Sequence, residues 1–216
     1  MLLKLSELVG KHSLDIKGVY HIGAHHGQEF ESYKELGVTN LIFFEPYAPN
    51  FMKLNEFIQS QDTEGMNVHL ENVALGHRDD LRTLFVETEN KSMSCSLLKP
   101  KVHLDLYPKI KFDQEVEVKQ TFLDKFVIES QIDPTNFNFI NIDVQGYELE
   151  VFKGAAHTLC DIDYIYTEVN NDELYEDCVR MSDLDEFLGD LWGFKRVETK
   201  LVGNQKWGDA LYVKQS

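Results

Sequence analysis

The chain has 216 residues, 43% of them hydrophobic and 12% aromatic, which is enough for a core of ordinary size and excludes a disordered or low-complexity segment. Asp and Glu number 37 against 21 Lys and Arg, for a formal charge of −16. That field repels phosphate backbones and anionic membrane surfaces, so neither nucleic acid nor a membrane is an expected partner.

Residues 1–9 hold too short an apolar run, broken by Glu7, for a secretory leader, and a cytosolic chain is expected. Short apolar runs then alternate with segments of helical period, the pattern of an α/β sheet rather than a bundle or sandwich. Val19, Tyr20, His21 and Ile22 form a first strand that ends at Gly23. A short helix over 28–36 stops at Gly37, and Leu41, Ile42, Phe43 and Phe44 make a second strand ending in Glu45 and Pro46. Phe51, Leu54, Phe57 and Ile58 recur at helical spacing. A third strand is expected over 68–75, with 81–86 extending the same sheet. Residues 137–142 and 164–169 read as the fourth and fifth strands, nearly continuous apolar runs of the buried parallel kind. The pattern lapses over 87–112, where Pro100 and Pro108 interrupt a polar stretch, and a long loop fit to serve as a lid is expected. Residues 161–190 hold eleven acids against one base, Arg180, and read as a solvated helical face. Residues 194–213 read as a terminal hairpin. Cys95, Cys160 and Cys178 show no paired spacing and are expected as reduced thiols. With no repeat or linker, residues 1–216 are expected to form one domain.

The residues that carry chemistry sit where strands end. Gly23, Ala24, His25, His26 and Gly27 join the first strand to a helix, and glycines there let backbone N–H groups approach a ligand. Their spacing meets neither the dinucleotide nor the phosphate-loop fingerprint. Glu45, at the end of the second strand, is placed to accept both hydroxyls of a ribose or to cap the helix after it. Asp143 ends the fourth strand, and Glu168 with Asn170 ends the fifth, so two carboxylates and an amide converge if those strands are neighbours. Otherwise Asp143 caps the following helix and Glu168 faces solvent. The same three side chains form an oxygen-ligand set for a hard divalent cation. His21, His25 and His26 do not, because successive side chains of an extended loop point apart. Tyr47, Tyr107, Tyr147 and Trp207 are candidate stacking surfaces for a sugar or else core.

The set of motifs resembles the FkbM-type methyltransferases, from about residue 19 to residue 214. The resemblance rests on residues 19–27, Glu45 with Pro46, Asn72-Val73-Ala74-Leu75-Gly76, residues 142–150 with Lys153-Gly154-Ala155, and Glu168-Val169-Asn170. It implies a Rossmann-like class I fold, a seven-stranded, mostly parallel sheet with an antiparallel terminal strand. It also implies S-adenosylmethionine across the ends of strands one and two, held by His21, Gly23, Ala24, Gly27, Glu45, Asn72, Val73 and Asp143. Asp143 and Glu168 are then the catalytic pair, and the acceptor is a hydroxyl of a sugar, glycan or other hydroxylated small molecule. His21 stands where the family usually has Asp, and Gln145 where Glu is commoner. Two other readings remain at this stage: a catalytically silent binding module of the same fold, and a nicotinamide-dependent oxidoreductase.

Overall fold

A computed structural model describes residues 2–215. In chain order the elements are α1 (Leu5–His12), β1 (Gly18–Ile22), α2 (Phe30–Glu35), β2 (Asn40–Phe44), α3 (Ala48–Gln59), β3 (Asn67–Glu71), β4 (Ala74–Leu75), β5 (Asp80–Glu87) and α4 (Val102–Leu106). They continue as β6 (Phe112–Thr121), α5 (Leu123–Glu129), β7 (Phe139–Ile142), α6 (Glu148–Lys153), β8 (Tyr164–Asn170), α7 (Met181–Glu186), β9 (Phe194–Val202) and β10 (Trp207–Lys214). The main sheet has seven strands in the order β3-β2-β1-β7-β8-β10-β9. Strands β3, β2, β1, β7 and β8 pair in parallel, and β10 runs antiparallel to both β8 and β9. This is the Rossmann-like arrangement expected.

Why the central strands are apolar throughout is clear from their burial. Val19, Leu41, Phe43 and Phe139 face one side, against Leu8, Phe30, Tyr33 and Leu54 of α1, α2 and α3. Tyr20, Ile22, Ile42, Phe44, Ile140 and Ile142 alternate onto the other side, against α5, α6 and a second sheet. A strand covered on both faces has no position for water, so alternation of polar and apolar residues vanishes.

The second sheet corrects the sequence reading. The expected third strand over 68–75 breaks in two, because Asn72 donates from Nδ2 to the carbonyls of Glu45 and Pro46 at 2.8 and 3.1 Å and turns the chain. Its first half, β3, is the edge of the main sheet. Its second half, β4, joins β6 and β5 in a separate three-stranded sheet of order β4-β6-β5, so 81–86 does not extend the first. Strand β6 escaped the pattern because half of its side chains are exposed, four of them charged, and only Val118 and Gln120 are buried. The acid-rich stretch 161–190 is also not one helical face. It contains β8, buried almost throughout, and helical structure only from Met181 onward. The terminal hairpin forms as expected, with Asn204 and Gln205 at φ 58° and 65° in its turn. Cys95, Cys160 and Cys178 are free thiols. Among the described residues no helix is long and apolar enough to cross a membrane.

Candidate functional site

Strands β1, β2, β7 and β8 all end on one edge of the sheet, and the chain must reverse there. Gly23, at φ 80°, makes the first reversal, and any side chain on it would run into the Asp143 carbonyl. The N–H groups of Gly23 and Ala24 both donate to the Phe44 carbonyl, at 2.9 and 3.0 Å, fixing the turn to the end of β2. His25 follows at φ 49° and donates its N–H to Oε2 of Glu45 at 2.8 Å. Oε1 of Glu45 accepts the Tyr47 N–H at 2.9 Å, where α3 begins. Glu45 thus ties the glycine turn to the segment leading into α3, although no side chain caps that helix. A carboxylate has about four acceptor positions, and Glu45 itself lines the crevice. Burial pushes Glu45 up to about 7.

A cavity of about 330 Å³ lies over this turn. His21, Gly23, Ala24, Glu45, Val73 and Asp143 line it, with an apolar wall from Leu75, Leu84 and Leu97. Two residues expected there are elsewhere. Gly27 packs beside Leu54 and Phe57 under the loop, and Asn72 holds the end of β2 from outside. His21 is buried, and burial pushes it down to about 4, so it is a neutral imidazole. Its Nδ1 lies 3.2 Å from the Tyr33 hydroxyl and its Nε2 3.9 Å from the Glu29 carboxylate. His25 and His26 do not point apart. Their rings stack with centroids 3.6 Å apart, because the left-handed His25 backbone is not extended. They latch the long loop instead: His25 Nε2 meets the Lys91 carbonyl at 2.8 Å, while Asn50 Oδ1 accepts from Ser92 Oγ at 2.8 Å and lies 3.1 Å from His26 Nε2. That loop covers the cavity through Ser92, Met93, Cys95 and Ser96.

A second cavity of about 710 Å³ adjoins the first, and Met93, Asp143 and Gln145 line both. Strands β7 and β8 are neighbours, so Asp143 and Glu168 do converge. Gln145 bridges them, donating from Nε2 to Asp143 Oδ1 at 2.6 Å and to Glu168 Oε2 at 2.8 Å, while its Oε1 accepts from the Tyr175 hydroxyl at 2.7 Å. Asp143 does not cap the helix that follows, α6, which has no side-chain cap; Glu148, its first residue, instead braces the loop before it, its Oε1 accepting from the N–H groups of Val144 and Gly146 at 3.2 and 3.1 Å. Asp143 is left to face the cavities. Burial raises Asp143 to about 6 and Glu148 to about 7. Burial, reinforced by the Asp143 and Glu148 charges, holds Glu168 well above the usual carboxylate range.

The amide of Gln145 donates to both carboxylates where a cation would need their oxygens. Among the described residues no group of three His, Cys, Asp or Glu side chains is arranged to hold a metal ion. Of the candidate stacking surfaces, Trp207 and Tyr107 line the second cavity, joined by a 2.8 Å hydrogen bond from Trp207 Nε1 to the Tyr107 hydroxyl. Tyr147 lines the first cavity, and Tyr47 stands outside both. Sequence reasoning missed His103, in the second cavity's wall, and Tyr175, which positions Gln145. Neither belongs to a recognisable motif.

Comparison with known proteins gives a consistent picture. Residues 21–196 match the model of the methyltransferase FkbM domain. A stretch of 84 residues is 37% identical to the 2-O-methyltransferase NoeI of Sinorhizobium fredii (strain NBRC 101917 / NGR234), covering 39% of this chain and 34% of that protein. The crystal structure of methyltransferase FkbM from Methylobacillus flagellatus KT superposes with a TM-score of 0.57 at 14% identity, over 91% of this chain and 43% of the other. Magnesium protoporphyrin IX methyltransferase from Synechocystis PCC 6803, solved with S-adenosylmethionine bound, superposes with a TM-score of 0.55 at 11% identity, over 97% and 76%. The matches thus span about a third of the curated relative and less than half of the FkbM structure.

Proposed function

The chain belongs to the FkbM methyltransferase family, and on that premise we propose that it transfers a methyl group from S-adenosylmethionine to a hydroxyl of a sugar or glycan. The observation that carries this reading is the meeting of two cavities at Asp143. The smaller suits the cofactor: the carboxylate of Glu45 accepts ribose hydroxyls, and Val73, Leu75, Leu84 and Leu97 form an apolar wall for the adenine. Gly23 and Ala24 let the backbone come close, and His21 lines the same cavity as a neutral group. When bound, the cofactor supplies a methyl group on a positively charged sulfur. The protein's part is then alignment and removal of one proton. Asp143 takes the acceptor's hydroxyl proton, Glu168 anchors the acceptor as a neutral hydrogen-bond donor, and Gln145 keeps the two carboxyl groups in register.

Three further points favour a sugar acceptor. The relative from Sinorhizobium is named a 2-O-methyltransferase, the second cavity has an aromatic pair in its wall, and the chain's charge opposes anionic polymers. Incubated with labelled cofactor and panels of glycans, nucleic acids, proteins and phenols, the chain is expected to label glycans. Label on nucleic acid or protein alone would sink the reading, and label on phenols alone would move it to small aromatic acceptors.

Glu45→Ala is expected to weaken binding of S-adenosylmethionine and its demethylated product by about 1.5–3 kcal/mol, the scale of hydrogen bonds to a charged group. Calorimetry on the folded variant measures it, and unchanged affinity removes Glu45 from the cofactor site. The neutral His21, where the family usually has an acid, favours one second reading, a silent cofactor-binding module. Tight cofactor binding without turnover on any panel would establish that one instead.

A further inference from the structure

The second cavity contains a polar side chain with no structural employment. His103 sits on α4, is 3% exposed, and is held by aromatic rings on three sides: Tyr107 at 5.1 Å, Phe112 at 5.3 Å and Tyr175 at 5.5 Å between centroids. Its orientation is therefore fixed. Nδ1 is sealed from solvent without a hydrogen-bond partner, and among the described residues Nε2 has no partner either. Yet His103 lines the cavity that also holds Asp143, Glu168 and Trp207. A buried polar group without a partner is costly unless a ligand completes it. Burial pushes His103 down to about 4, so the ring is neutral, with one N–H and one bare nitrogen. An orphaned buried N–H is rarer than an under-satisfied acceptor. The tautomer with the bare nitrogen at sealed Nδ1 leaves the N–H on Nε2.

We propose that His103 donates a hydrogen bond from Nε2 to an oxygen of the acceptor, and so fixes which hydroxyl is turned toward Asp143. This rests on the second cavity being the acceptor site of the proposed methyl transfer, and it assigns the selection of the acceptor's position to a residue outside every motif of the chain. Trp207 and Tyr107 can hold a sugar face in several rotational settings, whereas a single N–H aimed from a fixed ring distinguishes them.

The test is kinetic. The full chain, His103→Phe and His103→Gln are assayed with labelled S-adenosylmethionine against methyl glycosides of glucose, galactose and mannose, and against simple phenols. Binding of S-adenosylhomocysteine is measured separately. Phe keeps the ring and its packing while removing both nitrogens, and Gln returns an N–H donor at similar reach. In His103→Phe the acceptor KM is expected to rise about tenfold or more with kcat less affected, and product affinity to remain that of the parent. His103→Gln is expected to recover much of the KM. A parent-like KM in His103→Phe overturns the assignment and leaves the sugar reading intact. A His103→Gln variant as impaired as His103→Phe assigns the ring to packing and also overturns it. Label on phenols alone, still lost in His103→Phe, overturns the sugar reading and keeps His103. No label from the parent on any probe overturns both. If His103→Phe does not fold, His103→Asn, too short for the same contact, replaces it.

Discussion

Asp143→Asn is expected to leave the fold and most cofactor affinity in place while lowering the methylation rate about 10²–10⁴-fold, the range for loss of a positioned general base. Asn has the shape of Asp, and its side-chain oxygen still accepts from Gln145, which donates to Asp143 Oδ1 at 2.6 Å in the parent. What it cannot do is accept a proton. Among the buried carboxyl groups nearby, Asp143 is the one that lines both cavities, and burial lifts it only to about 6. Glu148 is occupied by two backbone N–H groups, and Glu168 is raised well above the usual carboxylate range, further than Asp143. The parent's rate is accordingly expected to rise with pH through about 6, and that limb is expected to vanish in the variant. A variant as fast as the parent, or one that keeps the limb, removes Asp143 from the chemistry.

How much of this was legible beforehand depends on the range of the interactions involved. The main sheet could be read because its strands are buried on both faces, so each appears as an apolar run whatever its partners. Glu45, Asp143 and Glu168 could be read because strand ends are where such sheets present side chains to a crevice. The second sheet could not. Strand β6 has only a few buried residues, and its pairing with β4 spans some forty-six positions, from Ala74 to Gln120. His103 lay in what looked like structureless loop, and its significance comes only from rings contributed by residues 107, 112 and 175. Asn72 and Gly27 show the limit of a motif from the other side. Both belong to motifs that surround the first cavity, yet their positions serve the turn and the helix packing beneath it. A motif locates a site to within a few residues, and only the backbone decides which of them face inward.

The buried carboxyl groups also set how stability depends on pH, and here two opposing sets compete. Glu45 and Glu148 are raised from 4.5 to about 7, Asp143 from 3.8 to about 6, and Glu168 further up. Each keeps its proton in the folded chain at pH values where the unfolded chain has lost it, so each favours folding at low pH and ceases to as pH rises through its folded value. His21 and His103 act in reverse. Lowered from 6.5 to about 4, they are neutral when folded but charged when unfolded, and they add stability as pH rises from about 4 to 6.5. Between about 4.5 and 6 the two histidines offset only part of the effect of the four carboxyl groups, so stability already falls there. Above 6.5 the histidines contribute no further change, and Glu45, Glu148 and Glu168 alone determine the slope. A tenfold change in proton affinity corresponds to about 1.4 kcal/mol, and because Asp143, Glu148 and Glu168 share one neighbourhood their effects do not simply add. The expected fall in unfolding free energy between pH 6 and pH 8 is about 2–4 kcal/mol, steepest between 6 and 7. Urea titrations at half-unit pH intervals measure it, and a flat or rising profile refutes the assignment of raised values. Glu148→Gln sharpens the test, since its oxygen can still accept from Val144 and Gly146 while its charge is gone. It is expected to flatten the profile above pH 6.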